Sequence, residues 1–329
     1  MKNSTRSINL WHLTIGFLIA CFNATQSRVN GELGHQVGNG VLAALCSFSS
    51  GWVILLAIAV LVPNVRKAFL SIPSMVRAGE LKWWQCIGGM AGATYVIGQG
   101  TVVPVVGVAV FTISVVAGQT TSSLLVDKYG LGPAGPKAIT WIRIVAALIA
   151  IVGVAIAKTG ADSSATQQHH PLTGTLPLVL YAFATGLVTA IQYALNGRVA
   201  VATGQPFATT LLNFTMGTVV LIIALLFLVF VQDTQLTPPP SPLDEPLLWS
   251  GGTIGIIFIA SASVLVRSLG VLVFALVSVV GQLTGAILLD VFLPNGATEV
   301  TGQIILGVVI TAVAVIIASL PTRQDRLAA

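Results

Sequence analysis

Two stretches of the chain carry the same polar pattern within apolar surroundings. Residues 26–31 read QSRVNG and residues 192–197 read QYALNG, so a Gln-x-x-x-Asn-Gly motif recurs after 166 positions. Amide side chains are costly in an apolar environment because their N–H and C=O groups need hydrogen-bond partners. The four amides are therefore candidates for contacts with a polar solute or for hydrogen bonds between helices.

The asparagines also have a purely structural interpretation. Asn-Gly commonly ends a helix, because the glycine takes the left-handed conformation after the last turn. Asn30 and Asn196 are therefore either C-terminal caps or solute contacts, and the sequence leaves both open. For the glutamines, the alternative to a solute contact is an interhelical hydrogen bond, which contributes about 0.6–2 kcal/mol.

The composition places these motifs in a membrane protein. The 329 residues are 55% hydrophobic and 8% charged, whereas soluble domains are about 25% charged. A membrane-spanning helix needs about 20 mostly apolar residues, and this chain contains ten such runs. They cover approximately residues 9–28, 40–62, 84–101, 105–126, 139–157, 175–196, 206–231, 249–266, 270–292 and 303–320. We predict an all-α polytopic membrane protein in which segment 232–247, rich in Pro and acidic residues, is an extended loop.

The distribution of basic residues predicts the orientation of the spans. If successive spans alternate in direction, 13 of the 15 Lys and Arg residues fall on the side of the N-terminus. Only Arg28 and Lys158 fall on the other side. Basic residues concentrate on the cytoplasmic side of membrane proteins. We therefore expect both termini in the cytoplasm.

The motif belongs to a longer internal repeat. At an offset of 166, Gln26, Asn30, Gly31, Gly38, Leu45, Phe48 and Gly51 match Gln192, Asn196, Gly197, Gly204, Leu211, Phe214 and Gly217. At an offset of 163, Gly88, Gly89, Gly92, Phe111, Gly118, Gln119, Thr121, Leu125 and Asp127 match Gly251, Gly252, Gly255, Phe274, Gly281, Gln282, Thr284, Leu288 and Asp290. Each half contains five spans, an odd number, so the second half enters the membrane from the opposite side. We predict two inverted five-helix repeats, residues 1–158 and 175–329, joined by a linker at 159–174.

Inversion sorts the polar side chains of the spans into two sets. The outer set contains Gln26, Asn30, Ser47 and Gln282, and the inner set contains Gln119, Gln192, Asn196 and Asn213. Two polar zones on either side of an apolar midplane are what alternating access would use. We interpret these eight residues as candidates for binding a solute or lining its path.

Charged side chains are nearly absent from the spans. No Asp, Glu or Lys lies near the middle of a predicted span, although a proton-coupled exporter of cations normally keeps an intramembrane carboxylate. Asp127 and Arg143 lie near the predicted cytoplasmic face. They form either a gate contact or two solvated rim charges, with Arg143 snorkelling beside Trp141. The aligned position in the second half, near Ile304, is apolar, so such a gate contact would exist on one side only.

Other kinds of site find no support in the sequence. The three cysteines lie inside apolar runs, which argues against a disulfide framework or a metal site. The sequence contains neither a phosphate-binding Gly-rich loop with Lys-Ser/Thr nor a Ser-His-Asp arrangement, so we expect no cofactor and no enzymatic activity. We interpret the glycine clusters GGMAG (88–92) and GGTIG (251–255) as close-packing surfaces between helices.

Several stretches resemble a known family. The Gln-x-x-x-Asn-Gly motif in the first span, GQTTSSLLVDKYGLGP (118–133), RIVAALIAIVGV (143–154) and NGRVAVATGQPFATTLLNFTMGT (196–218) are similar to the YdcZ-type branch of the drug/metabolite transporter superfamily. The resemblance implies a fused ten-helix protein of the bacterial inner membrane that exports a small molecule. It implies no particular substrate. The second half departs from the pattern at VFLPNG (291–296), where the first half has KYGLGP (128–133).

We therefore expect a secondary transporter of a small organic solute that works by alternating access. Polar zones rich in amides and poor in carboxylates favour a neutral, zwitterionic or amphipathic solute over a metal ion. The expected partners are this solute and the lipid bilayer, with no nucleic acid; a monomer would suffice, and a dimer stays open. The rival hypothesis is a non-transporting membrane scaffold or sensor whose buried amides only hold helices together.

Overall fold

The computed structural model describes residues 10–164, 172–292 and 301–319, which form α-helices, two 3-10 helices and connecting loops, with no β-strand among them. The α-helices are α1 (Leu10–Val37), α2 (Gly40–Leu61), α3 (Pro63–Arg77), α4 (Gly88–Thr101), α5 (Val103–Lys128), α6 (Trp141–Ser164), α7 (Leu172–Thr203), α8 (Pro206–Val231), α9 (Gly251–Leu269), α10 (Val271–Phe292) and α11 (Gly302–Ser319). The 3-10 helices, Trp83–Ile87 and Pro246–Trp249, directly precede α4 and α9.

Each predicted span falls on one of these helices, but length and composition support membrane crossing unequally. Six helical segments within the described residues are long and apolar enough to cross a membrane. They include α2, α4 with its 3-10 helix, α7, α8, α9 with its 3-10 helix, and α10. The apolar parts of α6 and α11 are shorter, at Trp141–Gly153 and Ile305–Ala314. Ten crossings, and their orientation, therefore stay predictions.

Helix α3 was not among the predicted spans because it is amphipathic rather than apolar. Val65 and Ile72 are buried, whereas Arg66 and Lys67 are exposed. With 15 residues it is too short to cross a bilayer, and it packs against α7 and α8. The helical periodicity of its apolar residues is the signal that could have identified it.

Helices α1 and α7 extend further than predicted. Each ends immediately before a glycine whose backbone lies in the left-handed region. These glycines are Gly38, with φ +64°, and Gly204, with φ +63°. Asn30 and Asn196 lie eight residues before these glycines, in the helix interiors. The interpretation of the two asparagines as C-terminal caps is therefore wrong.

The two predicted connecting segments differ in outcome. Residues 233–245 of the Pro-rich segment are not helical, which confirms the prediction of an extended loop. In contrast, α6 continues to Ser164 and α7 begins at Leu172, so both helices enter the predicted linker at 159–174. Residues 165–171 of that linker lie outside the described residues.

The packing of helices repeats between the two halves of the chain. Helix α5 packs on α7 as α10 packs on α1, and α4 packs on α7 and α8 as α9 packs on α1 and α2. Three further pairs join equivalent helices: α2 with α8, α5 with α10, and α6 with α11. Exchanging the two halves thus converts each of these packing pairs into another of them or into itself, as in a two-fold symmetric interface.

Glycines allow the halves to approach through their backbones. An ideal Cβ built on Gly89 would lie 2.0 Å from the carbonyl oxygen of Asn213, and one on Gly252 would lie 2.3 Å from that of Ser47. These are equivalent contacts, because the repeat relates Gly89 to Gly252 and Ser47 to Asn213. At these positions the glycine clusters serve as close-packing surfaces between helices.

A methyl group at Gly252 is expected to separate the halves. In Gly252→Ala the added Cβ would also lie 2.5 Å from the backbone nitrogen of Gly51, which cannot move aside as a side chain can. We expect a loss of about 1–3 kcal/mol in stability, measured as a lower apparent Tm of the purified protein in detergent. Gly302→Ala is the control, because nothing lies within 4 Å of its Cβ position. Equal Tm values for the two variants would contradict the close contact.

Candidate functional site

A cavity lies where helices of the two halves meet. The space open to the centre of a water molecule is about 40 Å³, which is room for a few waters. Its lining residues come from α1, α2 and α4 of the first half and from α7, α8 and α9 of the second. They are Asn23, Gln26, Phe48, Gly92, Tyr95, Val96, Thr189, Gln192, Tyr193, Asn213, Phe214, Gly255, Phe258 and Ile259.

Most of the lining consists of residues related by the sequence repeat. Twelve of the 14 residues form six equivalent pairs. The pairs are Asn23 with Thr189, Gln26 with Gln192, Phe48 with Phe214, Gly92 with Gly255, Tyr95 with Phe258, and Val96 with Ile259. The cavity therefore lies at the centre of the repeated packing arrangement, where each half contributes the same positions.

The cavity wall is aromatic and amide-bearing, and it includes no charged side chain. The rings of Phe48 and Phe214 lie 4.9 Å apart between centroids. The ring of Tyr193 lies 6.0 Å from that of Phe258. Apolar walls with a few convergent polar groups are characteristic of sites for small molecules.

Gln26 and Gln192 place their amides on this wall in different hydrogen-bonding environments. Nε2 of Gln26 donates to the backbone carbonyl of Gly251 at 2.8 Å, a bond between the two halves. Because only the amide nitrogen can donate to a carbonyl, this bond assigns the nitrogen and oxygen of Gln26. Nε2 of Gln192 lies 3.5 Å from Oδ1 of Asn213, a long and weak contact.

Asn30 lies outside the cavity lining and is held within its own half. Its Nδ2 donates to Oε1 of Gln99 at 2.7 Å, and Nε2 of Gln99 donates to the hydroxyl of Ser27 at 2.8 Å. Oδ1 of Asn30 receives no hydrogen bond from the described residues. It faces Gly251, where an ideal Cβ would lie only 2.3 Å away.

Asn196, the equivalent of Asn30, has a different partner. Its Oδ1 accepts a hydrogen bond from Nδ2 of Asn213 at 3.2 Å. In the sequence repeat, Asn213 is equivalent to Ser47 of the first half. Gln99 is equivalent to Ala262 of the second half. Each half therefore pairs its buried asparagine with an amide, but the two amides occupy different positions of the repeat.

The remaining predicted residues are also buried without lining the cavity. Ser47 lies beside Gly251. Gln119 is 1% exposed and adjoins Tyr193, and its Nε2 has no hydrogen-bond partner among the described residues. Gln282 is buried on α10.

Three of the eight candidates therefore line the cavity. Gln26 comes from the predicted outer set, whereas Gln192 and Asn213 come from the inner set. Residues from the predicted outer and inner sets thus line one cavity instead of two separate polar zones.

Five polar residues at or near the cavity were missed from the sequence, and Asn23 and Gln99 are the two amides among Asn23, Tyr95, Gln99, Thr189 and Tyr193. Nδ2 of Asn23 donates to the hydroxyl of Tyr95 at 3.2 Å, and Gln99 is fully buried. The sequence search favoured polar residues that recur in both halves. Asn23 and Gln99 correspond to Thr189 and Ala262, so repetition did not mark them. An amide within a predicted span, repeated or not, is the signal that would have found both.

Asp127 and Arg143 form a buried ion pair, with side chains 3% and 7% exposed. The Asp127 carboxylate also accepts hydrogen bonds from the backbone nitrogens of Val271 at 3.0 Å and Leu272 at 3.2 Å. It therefore caps the N-terminus of α10, which belongs to the other half. The interpretation of the two residues as solvated rim charges is wrong.

The segment 128–140, which follows Asp127 and which we term the strap, is held by two more cations. Nη2 of Arg198 donates to the carbonyl of Gly130 at 2.6 Å. Nζ of Lys137 donates to the carbonyl of Leu269, at the end of α9, at 3.0 Å. Ionic hydrogen bonds thus join the strap of the first half to α7 and α9 of the second half.

Comparison with known proteins gives two findings. A family model described as "Putative inner membrane exporter, YdcZ" matches residues 10–156 and residues 177–317. A solved structure described as "Crystal structure of protein" has a TM-score of 0.64, is 13% identical, and covers 99% of this chain and 100% of its own. At this identity the likeness shows the fold alone. No curated protein is significantly similar in sequence.

Removal of Gln99 is expected to destabilise the protein through Asn30. In Gln99→Leu, Nδ2 of Asn30 loses its acceptor in an apolar interior, which should cost about 1–3 kcal/mol. The measurement is the free energy of unfolding in mixed micelles. Gln36→Leu, an exposed glutamine on α1, is the control and should unfold like the wild type.

The double variant Asn30→Leu/Gln99→Leu tests the pair itself. Because it removes both partners, its cost should be smaller than the sum of the single costs by about 0.5–2 kcal/mol. Strictly additive costs would show that the two amides do not depend on each other.

Proposed function

Because the chain belongs to the family described as "Putative inner membrane exporter, YdcZ", we propose that it carries a small organic solute out across the bacterial inner membrane. The mechanism is alternating access between two inverted five-helix repeats. The solute and the lipid bilayer are its partners, and a single chain forms the complete transport unit.

The observation that carries this proposal is the paired composition of the cavity. In transporters built from inverted repeats, the solute site lies at the repeat interface and one half rocks against the other around it. Six equivalent residue pairs line the cavity of this chain. Rocking therefore exchanges equivalent contacts, so that opening towards either side of the membrane uses similar surfaces.

The separate matches of the family model to the two halves support a repeated unit of about five helices. An odd number of crossings in each unit gives the halves opposite orientations. The bias of Lys and Arg supports an orientation in which both termini lie in the cytoplasm. On this orientation the strap lies at the cytoplasmic face.

Asp127 and Arg143 act in this mechanism as a cytoplasmic gate. Opening that face requires the end of α5 and the strap to leave α10, which breaks the hydrogen bonds from Val271 and Leu272 to Asp127. The bond from Lys137 to Leu269 must break as well. The ion pair with Arg143 lies within the first half, so it holds the carboxylate in position while the gate opens and closes.

One observation favours the non-transporting scaffold for part of the polar set. Asn30 and Asn196 bond to other amides and do not line the cavity. We assign these two asparagines to holding helices together. Gln192 lines the cavity and makes only a long contact within its own half. Replacing it therefore tests whether the cavity is needed for transport without a large loss of stability.

The first test compares small-molecule pools inside and outside cells that overproduce the protein at matched membrane levels. Intact protein and Gln36→Leu should shift the distribution of the same metabolite. Gln192→Leu should abolish most of that shift while keeping the wild-type Tm, because the cavity loses an amide that contributes little to stability. If Gln192→Leu shifted the pools like the intact protein, a role for the cavity would be contradicted. No shift with any form across a broad panel would favour the scaffold.

The gate is tested by the reactivity of a thiol placed behind the strap. Ala194 is fully buried, and its Cβ lies 3.8 Å from the Cβ position of Gly132 in the strap. In a cysteine-free Ala194→Cys background, Asp127→Asn should raise the rate of maleimide labelling from the cytoplasmic side about tenfold, if the lost charge weakens the contact by about 1.4 kcal/mol. Lys128→Gln, an exposed neighbour, is the control and should label at the background rate. Equal rates for both variants would exclude Asp127 as the gate.

A further inference from the structure

Helix α3 presents a basic face that the proposed transport mechanism does not use. We propose that this basic face, formed by Arg66, Lys67, Leu70 and Arg77, binds the headgroups of anionic phospholipids at the surface of the bilayer. The position of α3 in the chain, the sign of its charges and its packing on the second half each support this occupant. The inference needs the membrane location of the chain and does not depend on transport.

Helix α3 lies where the chain leaves the apolar part of the bilayer. Helix α2 is long and apolar enough to cross a membrane, and it ends at Leu61, which is 78% exposed. After one intervening residue, α3 begins at Pro63. A helix of 15 residues that follows a span so closely, and that is too short to cross, lies near the level of the headgroups.

The basic face combines cations with an apolar side chain. Arg66, Leu70 and Arg77 lie on one side of α3, because residues four and eleven positions apart share a face of an α-helix. All three are exposed, as is Lys67 beside them, whereas Ile72 on another face is buried. An exposed leucine between arginines suits the boundary of a bilayer, where the leucine reaches the acyl chains and the long basic side chains reach the phosphates.

The charge of this connection selects an anionic partner. Residues 62–83 contain four basic side chains and a single acidic one, Glu80, and all five are exposed. The basic residues are Arg66, Lys67, Arg77 and Lys82. None of them forms an ion pair within the described part of the chain. Arg66 is the fourth residue of α3, where the helix dipole disfavours a cation, so helix stability does not account for it. Several basic residues on an amphipathic helix next to a span are typical of binding to anionic lipid.

The equivalent connection in the second half shows that joining these helices does not require an α-helix. Between α8 and α9, residues 233–245 contain no helix. Their charged residues are Asp233, Asp244 and Glu245, which are all acidic. The basic helix is therefore a property of one connection and not of the repeated unit.

Lipid held by α3 acts on the contact between the two halves. Although α3 belongs to the first half, it packs against α7 and α8 of the second. Ile72 of α3 lies in one apolar cluster with Val199 of α7. A headgroup that binds the basic face favours the state in which α3 rests on these helices. Anionic lipid should therefore raise the apparent Tm of the protein more than zwitterionic lipid does.

The experiment counts the lipids that stay bound to the full chain. The protein in detergent micelles is equilibrated with equal amounts of phosphatidylglycerol and phosphatidylcholine that carry identical acyl chains. Native mass spectrometry then counts the bound lipids of each kind. We expect the wild type to retain mainly phosphatidylglycerol. Arg66→Gln/Lys67→Gln should lower the ratio of bound phosphatidylglycerol to bound phosphatidylcholine about tenfold, because two cations near the anionic headgroup are lost.

A matched double variant controls for charge. Lys128→Gln/Arg267→Gln removes two exposed cations from other helices and should retain phosphatidylglycerol like the wild type. Arg66 and Lys67 are exposed and form no ion pair among the described residues, so their replacement should leave the Tm in phosphatidylcholine unchanged. Arg77→Gln is an independent variant on the basic face and should lower the same ratio.

The outcomes separate this inference from its alternatives. Equal retention of the two lipids by the wild type would overturn it. An equal loss in the two double variants would also overturn it, because the preference would then follow from the net charge of the chain. Displacement of phosphatidylglycerol by soluble glycerol 3-phosphate would show a site for soluble phosphate instead of a membrane contact. Selective retention by a protein that shifts no metabolite pool would support this inference and count against the proposed function.

Discussion

Backbone contact between the two halves at glycine is the constraint on which the rest of the structure depends. An ideal Cβ on Gly118 would lie 2.0 Å from the carbonyl oxygen of Phe183, and one on Gly281 would lie 2.4 Å from that of Phe17. Lipid provides no hydrophobic drive for helix association, so close packing and buried hydrogen bonds must supply it. Approach at this distance also brings the amide-bearing faces of α1 and α7 to the same cavity. The site is therefore a product of the packing rather than an addition to it.

The sequence predicted the helices better than their ends, because hydropathy reports the surroundings of a segment only indirectly. Apolar runs located ten helices, but sorting the repeated amides into an outer and an inner zone did not predict that Gln26 and Gln192 would line one cavity. The polar side chains of Gln26 and Asn30 led to a predicted end of the first span near residue 28. In the structure other helices bury these amides, and α1 continues to Val37. Helix α3 was missed for the opposite reason: half of its surface faces away from the protein and is polar.

Roles within the candidate site were harder to predict than positions. The same residue type, an amide in an apolar helix, lines the cavity at Gln192 and pairs with another amide at Asn30. Only the three-dimensional partner distinguishes the two cases. The burial of Asp127 could not be foreseen either, because it depends on backbone N–H groups of α10 that lie 144 and 145 positions away in the chain.

The two asparagine–amide pairs have a consequence for how such a chain can change over evolution. Asn30 with Gln99 and Asn196 with Asn213 each lie within one half. Each copy of a duplicated gene segment thus carries its own complete hydrogen-bonded pair, so the partner of the asparagine can differ between the copies, although both asparagines also contact glycines of the other half. Contacts across the interface, such as Gln26 with Gly251, allow no such independence. Divergence after duplication is therefore freest where each half is self-sufficient, and most restricted where the halves meet.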